Sequence, residues 1–431
     1  MSRTAAAVER PASLWKHRGF TAFWAGETVS QFGDRVTELA LPLIAVVTLT
    51  ATSTQVGLLT AAVWVPNLLS LLVGSWVDQL THKKSVLVTA DLVRAATLVS
   101  LPVAHWFGVV TLGQLFAVAL LSGAGQVLFS TAYPSFFVGL VERSQYIDAN
   151  SKLNTSRSAS FVAGPAVGGF LIQVLTAPVA VLVDSLSFVV SAILIGKVRV
   201  VATAPEKTGT SLLANARAGL SYVLREPYLR AGLGCVTTVN FFSFLATALI
   251  VLFASRTLGL PAGMIGLAFG VGAVGGLVGA VLAPRLSRRF GVGPMIVAGA
   301  ILFPAPTAAI AFAGGSRWVA AAVLAGAELV SSVGVMLLDI NLNSVKTAVI
   351  PDRLRSRVAG TFGTINYGVR PLGAVVGGVL GGWVGLRPTL ILAAIGGSLC
   401  FLWLLPSPIP RLRSLDDIAT PDRLEAATQL D

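Results

Sequence analysis

The chain is predicted to be an all-α membrane protein, with twelve transmembrane helices in two six-helix bundles and both termini on the cytoplasmic side. Three observations carry that prediction. Of its 431 residues 55% are hydrophobic and 12% charged, against about 25% charged in a soluble domain, and the mean hydropathy is +0.81. The windows 56–77, 158–183, 231–255, 258–284, 290–316 and 388–410 hold no charge, and each exceeds the ~20 residues that cross a bilayer core. Of the basic residues outside the expected spans, all but Arg256, Arg317 and Arg387 fall on one side. That asymmetry fixes the orientation by the positive-inside rule. It also turns the net charge of +12 into a topology signal rather than a nucleic-acid footprint.

Residues 1–19 are polar and basic and read as a cytoplasmic segment; the stretch that follows is too long and too charged for a cleaved signal. Spans are expected near 20–48, 55–77, 85–106, 109–137, 157–175 and 177–196, forming an N-terminal bundle over 20–196. A cytoplasmic linker occupies 197–230. Within it Leu213, Ala216, Leu220 and Val223 recur at helical spacing, as in an amphipathic helix lying on a surface, with a plain flexible linker as the alternative. Spans near 231–255, 261–284, 292–313, 317–341, 357–382 and 386–405 form a C-terminal bundle over 231–405, and 406–431 is a cytoplasmic tail.

The halves echo one another. Aligning GSWVDQLTHKK (74–84) with GAVLAPRLSRR (279–289) sets Gly74 on Gly279 and Asp78 on Ala283, an offset near 205, and GPAVGG (164–169) is answered by RPLGAVVGG (370–378). An internal duplication is the expected cause. Cys235 and Cys400 lie in different apolar spans without metal or redox spacing, so neither a disulfide nor a metal site is expected. With no histidine cluster and no nucleophile beside a base, no catalytic residues are assigned and the chain is not expected to be an enzyme.

The stretch GETVSQFGDRVTELALPL (26–43) places charge where the bilayer disfavours it. On a helix Glu27, Gln31, Asp34 and Glu38 fall within an arc of about 60°, with Arg35 beside it. Asp34 lies near mid-depth, where a charge costs ~2.5–3.5 kcal/mol. Neutralising a carboxyl at neutral pH costs about 4 kcal/mol, so such a group is poised to exchange protons as its surroundings alternate between wet and dry. The stripe is expected to face a watery cavity. A static network, Arg35 with Glu38 and Gln31, is the alternative. Glu328, near mid-depth on a face shared with Ser332 and Asp339, reads as a second cavity carboxylate. Arg370, close to Tyr367, compensates Asp34 or Glu328 or contacts solute. Asp91 and Arg94, one turn apart, are expected to pair with each other, and Asp184 to bond a neighbouring helix. Asn240, with Phe241, Phe242 and Phe244, lines an apolar pocket or faces lipid. The intramembrane acids outnumber Arg35, Arg94 and Arg370, which suits protons and cationic amphipathic solutes.

These motifs resemble those of the major facilitator superfamily over about 20–405. GSWVDQLTHKK is similar to its signature loop between spans two and three, with Gln79 and Thr81 departing from the usual basic residue and glycine. AGPAVGG (163–169) resembles the fifth-span signature of drug and metabolite antiporters. ADLVRA (90–95), DAN (148–150), DSLSF (184–188) and IPDRLRSRV (350–358) resemble the branch of macrolide and enterobactin exporters. Many proton-coupled exporters carry an arginine in the fourth span, and 106–142 holds none.

The resemblance implies a conformational gate. Gly164, Pro165, Gly168 and Gly169 would let the fifth span kink at the seam of two moving bundles. Asp78 would accept from the N-terminus of the eleventh span, and Lys83 and Lys84 would anchor at the interface. The expected function is export of an amphipathic small molecule (drug, antibiotic, siderophore or other natural product) across a bacterial inner membrane by proton antiport. The carrier would work as a monomer, with the proton motive force in place of a cofactor. Import by a symporter or facilitator on the same fold is disfavoured only by the fifth-span signature.

Overall fold

A computed structural model describes residues 14–198, 212–351 and 354–418, with backbone alone at Leu71, Asp78, 212–216 and Ser356. The roles expected of the Asp78, Leu213 and Ala216 side chains, and the parts of the N-terminal segment, linker and tail beyond these ranges, lie outside the described residues. The described chain is helical throughout. The first half comprises α1 (Arg18–Leu43), α2 (Ser53–Trp64), α3 (Ser70–Asp78), α4 (Lys83–Trp106), α5 (Leu112–Leu140), α6 (Tyr146–Leu175) and α7 (Ala177–Lys197). After α8 (Leu212–Arg225) come α9 (Pro227–Leu252), α10 (Ala262–Phe290), α11 (Val292–Leu302), α12 (Thr307–Phe312), α13 (Arg317–Val349), α14 (Arg355–Trp383) and α15 (Leu386–Ser398).

Among the described residues, nine helical passages are long and apolar enough to cross a membrane by length and composition. The other expected spans are helical too, and each departs for a visible reason. Charge dilutes α1. Between α2 and α3 the 3-10 turn Val65–Leu69, with Pro66 at its start, breaks the passage, because proline removes a helical donor and crowds the preceding turn. α14 is glycine-rich and carries Arg370. The ninth of the twelve expected spans, too, is interrupted, with Pro304 and Pro306 between α11 and α12.

The two halves repeat in register. Helices begin at 18 and 227, 53 and 262, 83 and 292, 146 and 355, and 177 and 386, a constant offset of 209; only α5 and α13, at 112 and 317, keep 205. α1 and α9 both run into a single π-helical turn, Ile44–Thr48 and Phe253–Thr257. The 205 alignment of the loop motifs is thereby corrected: Gly74 falls on Ala283, and Ser287, not Ala283, stands at the place of Asp78.

Glycines set the seams between the halves. A methyl group at Gly169 would lie 2.7 Å from the Ala262 carbonyl oxygen and 2.9 Å from Gly266 Cα; one at Gly378 would lie 2.8 Å from the Ser53 carbonyl oxygen and 3.0 Å from Gly57 Cα. These are the same contact, α6 on α10 and α14 on α2, repeated at the 209 offset. Only a residue without Cβ permits backbones this close. One apolar core, holding Val36 to Val46, Leu98, Val181, Leu249 to Ala254, Ile265 and Leu390, joins both halves at one end of the molecule. At the other end the core divides. One part draws on residues between Leu14 and Val198, the other on residues between Val223 and Ile418.

The linker helix does more than lie on a surface. Val223 is fully buried, the Tyr222 hydroxyl donates to the Val349 carbonyl at 3.1 Å, and Gly219 sits against the Arg357 backbone, so α8 docks on α13 and α14 while Leu220 and Leu224 stay exposed.

Candidate functional site

The α1 stripe does not act as one surface; its members divide among three partnerships. Glu27 is 7% exposed and accepts from Gln31 Nε2 at 2.8 Å. Asp34 is ion-paired with Arg94 of α4. Arg35 donates to Glu38 at 2.6 Å, and Glu38 is 67% exposed. The local alternative therefore holds for Arg35 and Glu38, at i and i+3, whereas Gln31 serves Glu27 rather than Arg35.

The expected Asp91–Arg94 pair is replaced by this Asp34–Arg94 bond. The cause is tertiary. α1 and α4 both pack along α7, so Arg94 crosses toward α1 while its guanidinium lies 3.9 Å from the Phe188 ring centroid and its stem fills the space left by Gly125. Asp91 is 0% exposed and neither of its oxygens makes a hydrogen bond. Ser191 of α7 faces it with a hydroxyl that, among the described residues, bonds nothing else and is placed to serve the Asp91 carboxylate. The groups of charge around Asp91 are Glu27 and Asp34 from α1 and Arg94 on its own helix. Nearer the joined end, Asp184 accepts from the Thr37 hydroxyl of α1 and from the Ser187 hydroxyl, which is the helix-to-helix role expected for it. Gly33 makes room for this contact, since a methyl there would collide with Asp184 and Ser187.

In the second half Arg370 bonds neither Asp34 nor Glu328. Its guanidinium sits 4.5 Å from the Trp64 ring centroid, 5.0 Å from Phe244 and 4.8 Å from Tyr367, held by aromatic faces rather than by a carboxylate. The pseudo-symmetry exchanges the roles, for Arg35 lies 5.4 Å from the ring centroid of Phe161. At the 209 offset Arg35 corresponds to Phe244 and Phe161 to Arg370, so at this pair of positions each half makes a cation–π contact with its two members swapped.

Glu328 is half-buried with its Cβ against Gly272 of α10 and has no ion-pair partner among the described residues. Asn240 turns its amide back to the Val236 carbonyl at 2.9 Å, satisfying its own helix. Phe241 and Phe242 pack edge to face, and Phe242 covers Gly396 of α15; of the expected aromatic group, Phe244 alone joins the cage.

The gating residues divide in the same way. Gly164 receives the Arg35 side chain and Gly168 the Val36 backbone, fixing α6 on α1, while Gly169 faces α10. Pro165 offers its carbonyl at Gly266. Lys83 and Lys84, expected as interfacial anchors, are helix caps instead. The Lys83 ammonium is buried and donates to the Val77 carbonyl at the end of α3; that of Lys84 donates to Gly196 and Val198, each at 3.2 Å, at the end of α7. Unpaired carbonyls and the negative end of the helix dipole draw a cation to such termini. Cys235 and Cys400 prove to be neighbours, with sulfurs 3.6 Å apart and both thiols free.

Sequence reasoning missed the packing of Trp64 on Arg370 and the Asp34–Arg94 bond. An intramembrane tryptophan next to a proline break was the available signal for the first. Among known proteins, the chain is 27% identical to the multidrug efflux pump Tap of Mycolicibacterium fortuitum over 93% of its length and 97% of that protein's. It is 23% identical to the transporter YfiS of Bacillus subtilis over 88% and 90%. Its fold matches a bacterial homologue of the iron transporter ferroportin in an inward-facing state with a TM-score of 0.71, at 18% identity over 91% of this chain and 99% of that one. The Major Facilitator Superfamily profile matches residues 23–374, and with the repeated helical halves this places the chain in the Major Facilitator Superfamily, a family of multi-pass membrane transporters.

Proposed function

We propose that the protein is a twelve-span exporter of amphipathic small molecules in a bacterial cytoplasmic membrane, driven by proton antiport, with its basic loops, linker and both termini inside. Likeness to the efflux pump Tap supports the direction. The shared core lies at the end of the few outer arginines and the divided cores at the basic end. The conformation is therefore inward-open, and transport alternates it with the reverse arrangement.

The observation that carries proton coupling is the arrangement of Arg94 between two carboxylates. Arg94 is bonded to Asp34, while Asp91, one turn earlier on α4, is sealed with only the Ser191 hydroxyl facing it and no ion pair among the described residues. An isolated buried charge is costly, which leaves a proton or Arg94 as the means of neutralising Asp91. Protonation of Asp34 frees Arg94 to turn to Asp91, loosening α1 from α4. Glu27, bonded to Gln31 on the divided-core side of Asp34, is the entry group from the cytoplasmic gap. Charge moved along with the membrane potential supplies about 2.3 kcal/mol per 100 mV.

Reconstitution tests this reading. In proteoliposomes an imposed pH gradient drives uphill movement of a fluorescent amphipathic dye in the wild-type carrier, and Asp34→Asn and Glu27→Gln abolish the gradient dependence. Full gradient-driven transport by both variants would overturn coupling through α1.

A further inference from the structure

The site expected to favour cations presents an unpaired cation. Asp34 is bonded to Arg94, Glu38 to Arg35, and Glu27 to Gln31, so the acids of α1 are engaged. Arg370 is not. It makes no hydrogen bond or ion pair among the described residues; Asp339 of α13 acts on it electrostatically from beyond bonding distance. Its Nε is sealed and unsatisfied, whereas its terminal nitrogens are not sealed.

Position makes this arginine a recognition group. Trp64 comes from the first half, and Phe244, Tyr367 and Arg370 from the second, so the cage straddles the seam. It lies less than two turns along α2 from the Gly57–Gly378 crossing, where the shared core gives way to the divided ones. α9, which supplies Phe244, packs on both α1 and α2, so the cage is on the central side of the seam. Tyr367 is 39% exposed and stacks on Trp64 with ring planes 15° apart, a ready aromatic platform.

We propose that this cage is the solute subsite and that it takes planar aromatic molecules carrying a carboxylate. The carboxylate accepts from the terminal nitrogens of Arg370, for which the guanidinium fork is shaped, and the ring system stacks on Trp64 and Tyr367. Ring stacking fixes the guanidinium plane without a protein carboxylate, leaving its donors for the solute. Because Trp64 and Arg370 belong to different halves, closure of the inner gap changes the cage and with it the affinity. The inference deepens the proposed exporter function by naming the charge and shape of what is carried.

Binding to the purified full-length protein in nanodiscs tests it with matched probes, 2-naphthoate and 2-naphthylmethylammonium. The expected result is tighter binding of the naphthoate, lost by about tenfold to a hundredfold in Arg370→Gln, as for removal of a charge-assisted contact. Arg370→Lys retains the anion preference at reduced affinity, and Trp64→Leu weakens both probes. An unchanged thermal midpoint of each variant shows that it is folded. Tighter binding of the ammonium, or a naphthoate affinity indifferent to Arg370→Gln and Arg370→Lys, would overturn the subsite. The two proposals fail separately. Naphthoate binding that depends on Arg370 but transport that ignores the pH gradient removes proton coupling alone; gradient-driven dye export without naphthoate binding removes the anion subsite alone.

Discussion

At the residue scale, the charged groups within the helices differ in how they are compensated. Arg94 has a carboxylate and an aromatic ring, Arg370 has rings alone, and Asp91 has a facing hydroxyl but no ion pair among the described residues. Arg94→Gln therefore leaves Asp34 without its cation. The expected loss is ~3 kcal/mol, the lower end for breaking a buried pair, because the Asp34 side chain is 29% exposed. Denaturant unfolding in detergent measures it, and adding Asp34→Asn should recover part of the loss. What the sequence reveals at this scale is local. The Arg35–Glu38 bond is visible as a spacing of three on one helix, and the same logic suggested Asp91 with Arg94. It failed there because the stronger partner for Arg94 comes from a helix far away in the chain, and no spacing rule contains that information. Of the cage of Arg370 the Tyr367 contact, three residues back on the same helix, was visible, whereas Trp64 and Phe244 come from other helices and were not.

At the element scale, hydropathy and turn residues reveal nearly every helix, and small residues reveal which helices touch. The GPAVGG and RPLGAVVGG stretches do form the close crossings, α6 on α10 and α14 on α2. The breaks at Val65–Leu69 and between α11 and α12 fall at prolines already present in the sequence, yet an apolar window runs straight through both. Gly169→Val or Gly378→Val should cost about 1–3 kcal/mol by overpacking, since each added methyl group would meet backbone rather than a movable side chain. Thermal unfolding checks the cost, and the two should add, because the crossings are separate. A smaller element follows the same logic at the tail. Asp417 accepts from the Ser414 amide at 2.8 Å and the Arg413 amide at 3.1 Å, and these bonds hold its carboxyl below the usual carboxylate range. A depressed folded value stabilises the turn above the ordinary aspartate range and is lost as pH falls through the folded value. As pH falls from the ordinary aspartate range through the lower folded value, the amides of Val292 and Gly293, which donate to Arg413 and Leu412, should lose hydrogen-exchange protection once intrinsic rates are corrected. Asp417→Asn should flatten that pH dependence.

At the scale of the whole molecule, the core is divided at one end and joined at the other, and in the proposed alternating mechanism the two halves would act as levers about that shared contact. Arg256 bears on that balance. From the π-helical turn after α9 it donates to the Val46 carbonyl, in the matching turn after α1, at 2.9 Å, fastening the halves at the end assigned to the outside. A hydrogen bond with a charged donor contributes about 1.5–3 kcal/mol. It exists only while this end is closed, so its removal by Arg256→Ala acts directly on the equilibrium between the two states. The arithmetic of a two-state equilibrium then gives a rise of about tenfold to a hundredfold in the ratio of outward-open to inward-open carriers. Ala248 supplies a reporter, since it is buried against Ala61 of the other half and Ala374. In a background with Cys235→Ala and Cys400→Ala, Ala248→Cys should react slowly with a membrane-impermeant maleimide added outside, and at least tenfold faster once Arg256→Ala is added. An unchanged labelling rate would mean that the glycine crossings alone hold this end shut. A faster rate accompanied by a lower thermal midpoint would mean that the bond stabilises the fold as a whole. Faster labelling at an unchanged midpoint is the outcome expected of a latch, because such a bond shifts the carrier between two folded states without weakening either half.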